Sequence, residues 1–115
     1  MPLLQIQTSS KVAAAPAGLL QQLSTELAKE LGKPESYVMI AFERDAELLF
    51  GGTSEPACFA VLKNIGTFTP AQTERLSAWL TERLAAALSV TPSRIYIEFV
   101  NAQGHLWGHD GSTFA

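Results

Sequence analysis

The sequence has a single cysteine, few charged residues and no long apolar run. One cysteine, Cys58, excludes an intrachain disulfide and any multi-cysteine metal site, so folding needs no oxidising compartment. The N-terminal segment lacks the basic and apolar regions of a signal peptide. No apolar run approaches the roughly 18 residues of a membrane span. We therefore expect a cytoplasmic protein, and export would require a route that uses no signal peptide.

Basic residues are also scarce. The chain has 8 Lys and Arg against 11 Asp and Glu, a net charge of −3, and its basic residues are scattered. This pattern excludes nucleic acid or an anionic membrane as the main partner. The glycine-rich tail has no dinucleotide-binding fingerprint, and its histidines, His105 and His109, do not share a helix face, so we predict no cofactor and no metal.

The hydrophobic fraction, 47% of 115 residues, predicts a globular domain over residues 1–115. Period-two alternation predicts a strand over 3–8, followed by a loop over 9–15. Leucines at spacings of three and four predict an amphipathic helix from Pro16 that ends at Gly32. The leucines of its apolar stripe are Leu20, Leu23, Leu27 and Leu31.

The next apolar run, over 37–42, is short and continuous, which predicts a strand buried on both faces. Residues 48–50 are a candidate for a brief strand before two glycines. A longer apolar segment over 58–65 predicts a third main strand. Thr69, Pro70 and Gln72 then form a capping-box sequence that predicts the start of a long helix. Its predicted apolar stripe contains Leu76, Trp79, Leu80, Leu84, Ala87 and Leu88.

The last strand, over 94–100, alternates between two faces, and it completes a repeat. Each half of the chain has a strand, a helix containing Leu-Ser-x-x-Leu, a proline and an apolar strand. Crossovers between parallel strands are right-handed, so two such units predict an α+β fold with a four-stranded mixed sheet and both helices on one face. The other face lacks a cover yet carries apolar residues, which predicts a homo-oligomer that buries it.

Several residues are candidates for chemistry. Pro2 directly follows the initiator methionine, and a small residue at this position normally permits removal of Met1. The chain would then begin with the secondary amine of Pro2, which can act as a general base. Tyr96 and Glu98 project toward the uncovered face, where an oligomer would form a cleft. Lys33 follows a helix, a position in which a cation also complements the helix dipole. Cys58 is predicted to pack as a small hydrophobic residue.

Six groups of residues spread along the chain form a recognisable pattern. They are Met1-Pro2, Gly32-Lys33-Pro34 with Tyr37, residues 50–56, Ile65-Gly66, Arg94-Ile95-Tyr96-Ile97 and Ser112-Thr113-Phe114-Ala115. With these segments the chain resembles the macrophage migration inhibitory factor family of the tautomerase superfamily. The resemblance covers essentially the full length and implies one tautomerase-type domain, assembled as a homotrimer of β-α-β-β-α-β subunits whose sheets enclose a channel.

The resemblance also implies an activity and a set of site residues. Pro2 would be the catalytic base of an isomerase of the phenylpyruvate or dopachrome tautomerase type, which moves a proton between the α-carbon and the oxygen of a small aromatic α-keto acid. Lys33 would hold the substrate carboxylate or carbonyl. The Ile65 backbone amide would assist Lys33 in binding the substrate. The side chains of Tyr37 and Phe114, and Tyr96 of the neighbouring subunit, would line the pocket.

Three departures from the family pattern leave alternatives open. Glu98 replaces an asparagine, and an ionised carboxylate there would repel an acid and raise the pKa of Pro2. His109 occupies the position of a pocket-edge tryptophan, with Trp107 two residues earlier as a further pocket candidate. The Cys-x-x-Cys of the animal proteins is missing, so thiol-disulfide chemistry is not supported. The alternatives are a cytokine-like signalling or binding protein, whose receptor the sequence does not identify, and a decarboxylase or hydratase that uses Glu98.

Overall fold

The computed structural model describes residues 1–11 and 15–115, so the predicted loop over 9–15 lies partly outside the described residues. Two α-helices and four main strands alternate along the chain, and a short hairpin follows near the C-terminus. These elements are β1 (Leu3–Thr8), α1 (Leu19–Leu31), β2 (Met39–Glu43), β3 (Cys58–Ile65), α2 (Pro70–Leu88), β4 (Ile95–Ala102), β5 (Gly108–His109) and β6 (Ser112–Thr113).

The main sheet has the strand order β2-β1-β3-β4. β1 and β2 are parallel, as are β3 and β4, while the two central strands β1 and β3 are antiparallel. Each parallel pair is connected through one helix, which confirms the predicted pair of βαβ units. In the register, Leu3 lies opposite Lys63 at one end of the sheet, and Phe59 lies beside Tyr96 at the other end.

Both helices pack on the same face of this sheet, as predicted. The strand residues Leu4, Ile6 and Leu62 are almost fully buried in one cluster with the helix leucines. Burial in β3 alternates strictly, so its other side chains point to the opposite face of the sheet. The fully or nearly fully buried helix residues of the cluster are Leu19, Leu23, Leu27, Leu76, Leu80, Leu84 and Leu88.

The opposite face is open in the described part of the chain. Met39 on β2 and Tyr96 on β4 each expose 64% of their surface there. The prediction that the second strand is buried on both faces is therefore wrong for a single chain, because β2 is an edge strand with helices on one side only. The strand also begins later than predicted, at Met39, because Glu35–Tyr37 forms a 3₁₀ turn.

The helix ends follow local chemistry. The Thr69 hydroxyl accepts a hydrogen bond from the Gln72 amide at 3.2 Å, and the Gln72 side chain accepts one from the Thr69 amide at 2.9 Å, which confirms the capping box. The predicted start of α1 at Pro16 is wrong. Gly18 has a φ of 76°, a left-handed conformation that interrupts a right-handed helix, so α1 begins at Leu19.

The segment before β3 is a tight loop and the predicted strand over 48–50 is wrong. Phe50 pairs only with Thr53, in an isolated bridge that closes around Gly51 and Gly52, both of which have positive φ. Arg94 fixes this loop to the start of β4. Its guanidinium donates hydrogen bonds to the backbone carbonyls of Phe50, Thr53, Glu55 and Pro56 at distances of 2.9 to 3.3 Å.

Candidate active site

A cavity of about 480 Å³ lies at the end of the sheet where β1 and β2 begin and β3 ends. Its wall is formed by the first residues of the chain, the segment before β2, one β3 residue and the C-terminal hairpin. Among its wall residues are Met1, Pro2, Tyr37, Met39, Lys63, Trp107, His109 and Phe114. The structure therefore brings together four of the predicted site residues, Pro2, Tyr37, Trp107 and Phe114.

Pro2 is almost fully buried and lines this cavity together with Met1. Its carbonyl accepts a hydrogen bond from the Met39 amide at 3.0 Å, which fixes the start of β1 against β2. The terminal amine, carried here by Met1, has its pKa lowered by burial first and by the positive charge of Lys33 second. An amine at this position is therefore biased toward the neutral form that can accept a proton.

Lys33 is brought near the chain terminus by the end of α1. Gly32 adopts a left-handed conformation, with a φ of 62°, and the Lys33 amide donates to the Ala28 carbonyl at 3.0 Å. This is a glycine helix cap, which turns the chain sharply after the last helical residue. Lys33 itself lies outside the cavity wall, but its charge reaches the terminal amine.

Three aromatic rings form one side of the cavity. The ring of His109 stacks on that of Phe114, with 5.4 Å between centroids and 10° between planes. Tyr37 meets both rings edge-on, at 5.7 Å from His109 and 6.0 Å from Phe114. The Phe114 amide donates to the carbonyls of Gly104 and Trp107. A side chain at Gly104 would overlap the Phe114 carbonyl, so this close approach requires glycine.

Tyr96 and Glu98 lie away from the cavity of their own chain. Tyr96 packs against the Phe50 ring at 4.9 Å, at the far end of the sheet. Glu98 is exposed and lies opposite Val61 in the register of β3 and β4. Their predicted place in a pocket shared between subunits stays a prediction. So does the role of Ile65, which ends β3 half-buried and outside the cavity wall.

Two basic side chains of the wall, Lys63 and His109, received no role from the sequence. The alternation of β3 could have placed Lys63 on the open face of the sheet, because it lies two and four residues after Val61 and Phe59, which face the same way. For His109 the sequence predicts no metal-binding role and only the position of a pocket-edge tryptophan. Where the chain is described, no group of three or more His, Cys, Asp or Glu side chains could hold a metal ion. No helix in residues 1–11 and 15–115 is long and apolar enough to cross a membrane.

Cys58 cannot take part in chemistry at the Pro2 cavity, because it lies far from Pro2 and its thiol stays protonated near neutral pH. It lies at the start of β3, at the end of the sheet remote from Pro2, and it is buried in the core. Burial raises the pKa of its thiol to about 12. The thiol therefore behaves as the predicted small hydrophobic residue, because the thiolate is the reactive form.

The fold and the site together define a class of protein. Two βαβ units with both helices on one face of a four-stranded mixed sheet are the fold of the tautomerase superfamily. The sequence profile described as "Macrophage migration inhibitory factor (MIF)" matches residues 1–115. The chain belongs to the macrophage migration inhibitory factor family.

Individual relatives agree with this assignment. The chain is 36% identical to the macrophage migration inhibitory factor homolog of Trichinella spiralis over 114 residues, which are 99% of this chain and 100% of that protein. It is 34% identical over 115 residues to the macrophage migration inhibitory factor of Rattus norvegicus, with both chains covered completely. The crystal structure of a homologue from Prochlorococcus marinus has a TM-score of 0.93 at 38% identity, covering 98% of this chain and 99% of that one.

Proposed function

We propose that this protein is a keto-enol tautomerase of the phenylpyruvate type, an isomerase that uses the Pro2 amine as its general base after Met1 is removed. The observation that carries the proposal is the environment of the terminal amine, whose pKa is lowered by burial and by Lys33. Removal of Met1 would place the amine on the buried Pro2, which lines the cavity. With Met1 retained, the Pro2 nitrogen belongs to an amide and has no basicity.

The proposed reaction moves one proton and needs no cofactor. The neutral Pro2 amine accepts the proton of the enol hydroxyl on C2, and the resulting ammonium returns a proton to C3, the carbon next to the keto group, so the substrate gains and loses no atoms overall. Lys33 attracts the carboxylate of the α-keto acid and stabilises negative charge that develops on the enolate oxygen. The rings of Tyr37, His109 and Phe114 offer an apolar surface to an aromatic substrate.

The working form in this proposal is a homotrimer. The open face of the sheet supports association, because exposed Met39 and Tyr96 lie on it and an uncovered apolar face normally marks an interface. Tyr96 and Glu98 would reach the cavity of a neighbouring subunit, since neither lines the cavity of its own chain. Loop 50–56, which Arg94 fixes beside Tyr96, would then be part of that interface.

The test is replacement of Pro2 in protein whose intact mass shows that Met1 has been lost. The Pro2→Ala variant should lose about 10²- to 10⁴-fold in kcat/KM in an ultraviolet assay of enol-to-keto conversion, the range that a positioned general base contributes. Exposed Pro92, remote in sequence and in a 3₁₀ turn, provides the matched control. A Pro2→Ala variant as fast as Pro92→Ala would show that the mechanism is wrong.

The position of Glu98 favours a second candidate, a decarboxylase or hydratase of small acids. Glu98 lies exposed on the open face, where an additional acid or base could enter a neighbouring cavity. A Glu98→Gln variant that keeps tautomerase turnover and loses decarboxylation or hydration would support this candidate. Negligible turnover of every acid together with specific binding to a protein partner would instead favour the signalling alternative.

A further inference from the structure

Lys63 lines the same cavity as Pro2 and has no role in the mechanism above. It lies on β3 directly opposite Leu3, the residue after Pro2, on the open face of the sheet. Side chains of directly opposed residues on antiparallel strands start about 4.5 to 5.5 Å apart at their Cβ atoms. The Lys63 side chain therefore begins beside the start of β1 and forms part of the cavity wall.

The ammonium of Lys63 lacks a counter-ion in the described residues. Arg75 and Arg83 each contact a carboxylate of α1, whereas Lys63 makes no salt bridge in residues 1–11 and 15–115. The cavity wall, as far as it is described, contains no Asp or Glu. Lys63 is a half-buried residue that lines the cavity without a partner for its charge, so an anion bound in the cavity would gain a direct charge interaction with it.

Lys33 and Lys63 approach the start of β1 from different sides. Lys33 precedes β2, Lys63 lies on β3, and β1 runs between these two strands. A carboxylate held at Lys33 therefore leaves Lys63 available for a second anionic group. We propose that Lys63 is a second anion-binding residue of the cavity, which makes α-keto acids with a second carboxylate the preferred substrates. This inference rests on the proposed tautomerase function for its reaction, but its binding component can be tested separately.

The kinetic test compares a dicarboxylic with a monocarboxylic α-keto acid. With the enol of oxaloacetate, a Lys63→Met variant should lose about tenfold or more in kcat/KM, which is the lower range for the loss of a hydrogen bond between charged groups. With the enol of phenylpyruvate, the same variant should lose less than about twofold. Lys63→Arg should keep the preference for the dicarboxylate. Lys29, exposed near the end of α1 and outside the cavity wall, provides the matched Lys→Met control. An equal loss for both acids would overturn the inference.

The binding test needs no turnover, so it separates this inference from the proposed function. Calorimetric titration with isophthalate and benzoate compares two aromatic acids that differ by one carboxylate. The wild-type protein should bind isophthalate more tightly, and Lys63→Met should remove about tenfold of that affinity while leaving benzoate unchanged. If the variant leaves isophthalate affinity unchanged, for instance because Glu98 of a neighbouring subunit already neutralises Lys63, the inference is wrong. Inactive wild-type protein that passes this binding test would contradict only the tautomerase proposal.

Discussion

Tyr96 is too far from Pro2 to serve the cavity of its own chain. From the level of Leu3 and Lys63 to the level of Phe59 and Tyr96 the register advances four residues, about 13 Å at the usual rise of a strand. Tyr96 also lies two strands away from β1, which adds about 10 Å sideways and gives a separation of about 16 Å. A tyrosine side chain cannot span that distance, so any role of Tyr96 at Pro2 must come from another subunit.

This geometry predicts complementation between two inactive variants. In a three-fold ring, each site would combine the Pro2 cavity of one subunit with Tyr96 of the next. When Pro2→Ala and Tyr96→Ala subunits are mixed in equal amounts and exchange randomly, about one site in four receives both native residues. The mixture should therefore recover about a quarter of wild-type activity, whereas each parent alone should retain about a tenth or less.

The assay is enol-to-keto conversion after the two variants are unfolded, mixed and refolded together at equal concentration. Tyr37 provides the control because it lines the same cavity as Pro2 within one chain. Mixing Pro2→Ala with Tyr37→Ala subunits creates no site with both native residues, so no recovery is expected. Absence of recovery with Tyr96→Ala, or equal recovery in both mixtures, would refute the assignment of Tyr96 to a neighbouring subunit.

Two further predictions concern ionisation. Lys33→Met should move the acid limb of the pH profile of kcat/KM to higher pH. Burial and the Lys33 charge both lower the pKa of the terminal amine, and only burial remains in the variant. An acid limb at the same pH in the variant would contradict the role of Lys33. Cys58, with a pKa of about 12 against an ordinary value of 9.0, should react with a thiol reagent at pH 8 about a thousandfold more slowly in folded protein than in guanidinium, and equal rates would contradict its burial.

Most of the fold could be predicted from the sequence because local patterns and tertiary packing agree. The period-two alternation that predicts β1 and β4 reappears in their burial, throughout β1 and over the first five residues of β4. The α2 start is encoded by Thr69 and Gln72, which satisfy each other's backbone N–H groups, and by Pro70 at the first helical position. β2 could not be predicted correctly in the same way. Its continuous apolar run is typical of a strand covered on both sides, but none of the described residues forms a layer on its open side.

The site was predictable only where a residue's role follows from its position in the sequence. Pro2 is predicted from its place after the initiator methionine as well as by resemblance, Tyr37 and Phe114 are predicted by resemblance alone, and all three line one cavity. Lys63 was missed because its significance depends on strand register, which places it opposite Leu3, and a lysine in a strand is otherwise typical of a solvated surface. The start of α1 was missed for a related reason, since the left-handed Gly18 is a backbone conformation and proline at position 16 favoured an earlier start.

The distribution of charge makes Glu98 the residue that decides between the two proposals for substrate. Acidic residues outnumber basic ones in the chain, yet the described cavity wall contains Lys63 and no carboxylate, and Lys33 acts on the amine from just outside it. If assembly brings Glu98 of a neighbouring subunit against Lys63, the two charges compensate and a monocarboxylic acid suffices as substrate. If Glu98 stays outside, two cations face one cavity, and a second carboxylate on the substrate is the group that matches the second cation.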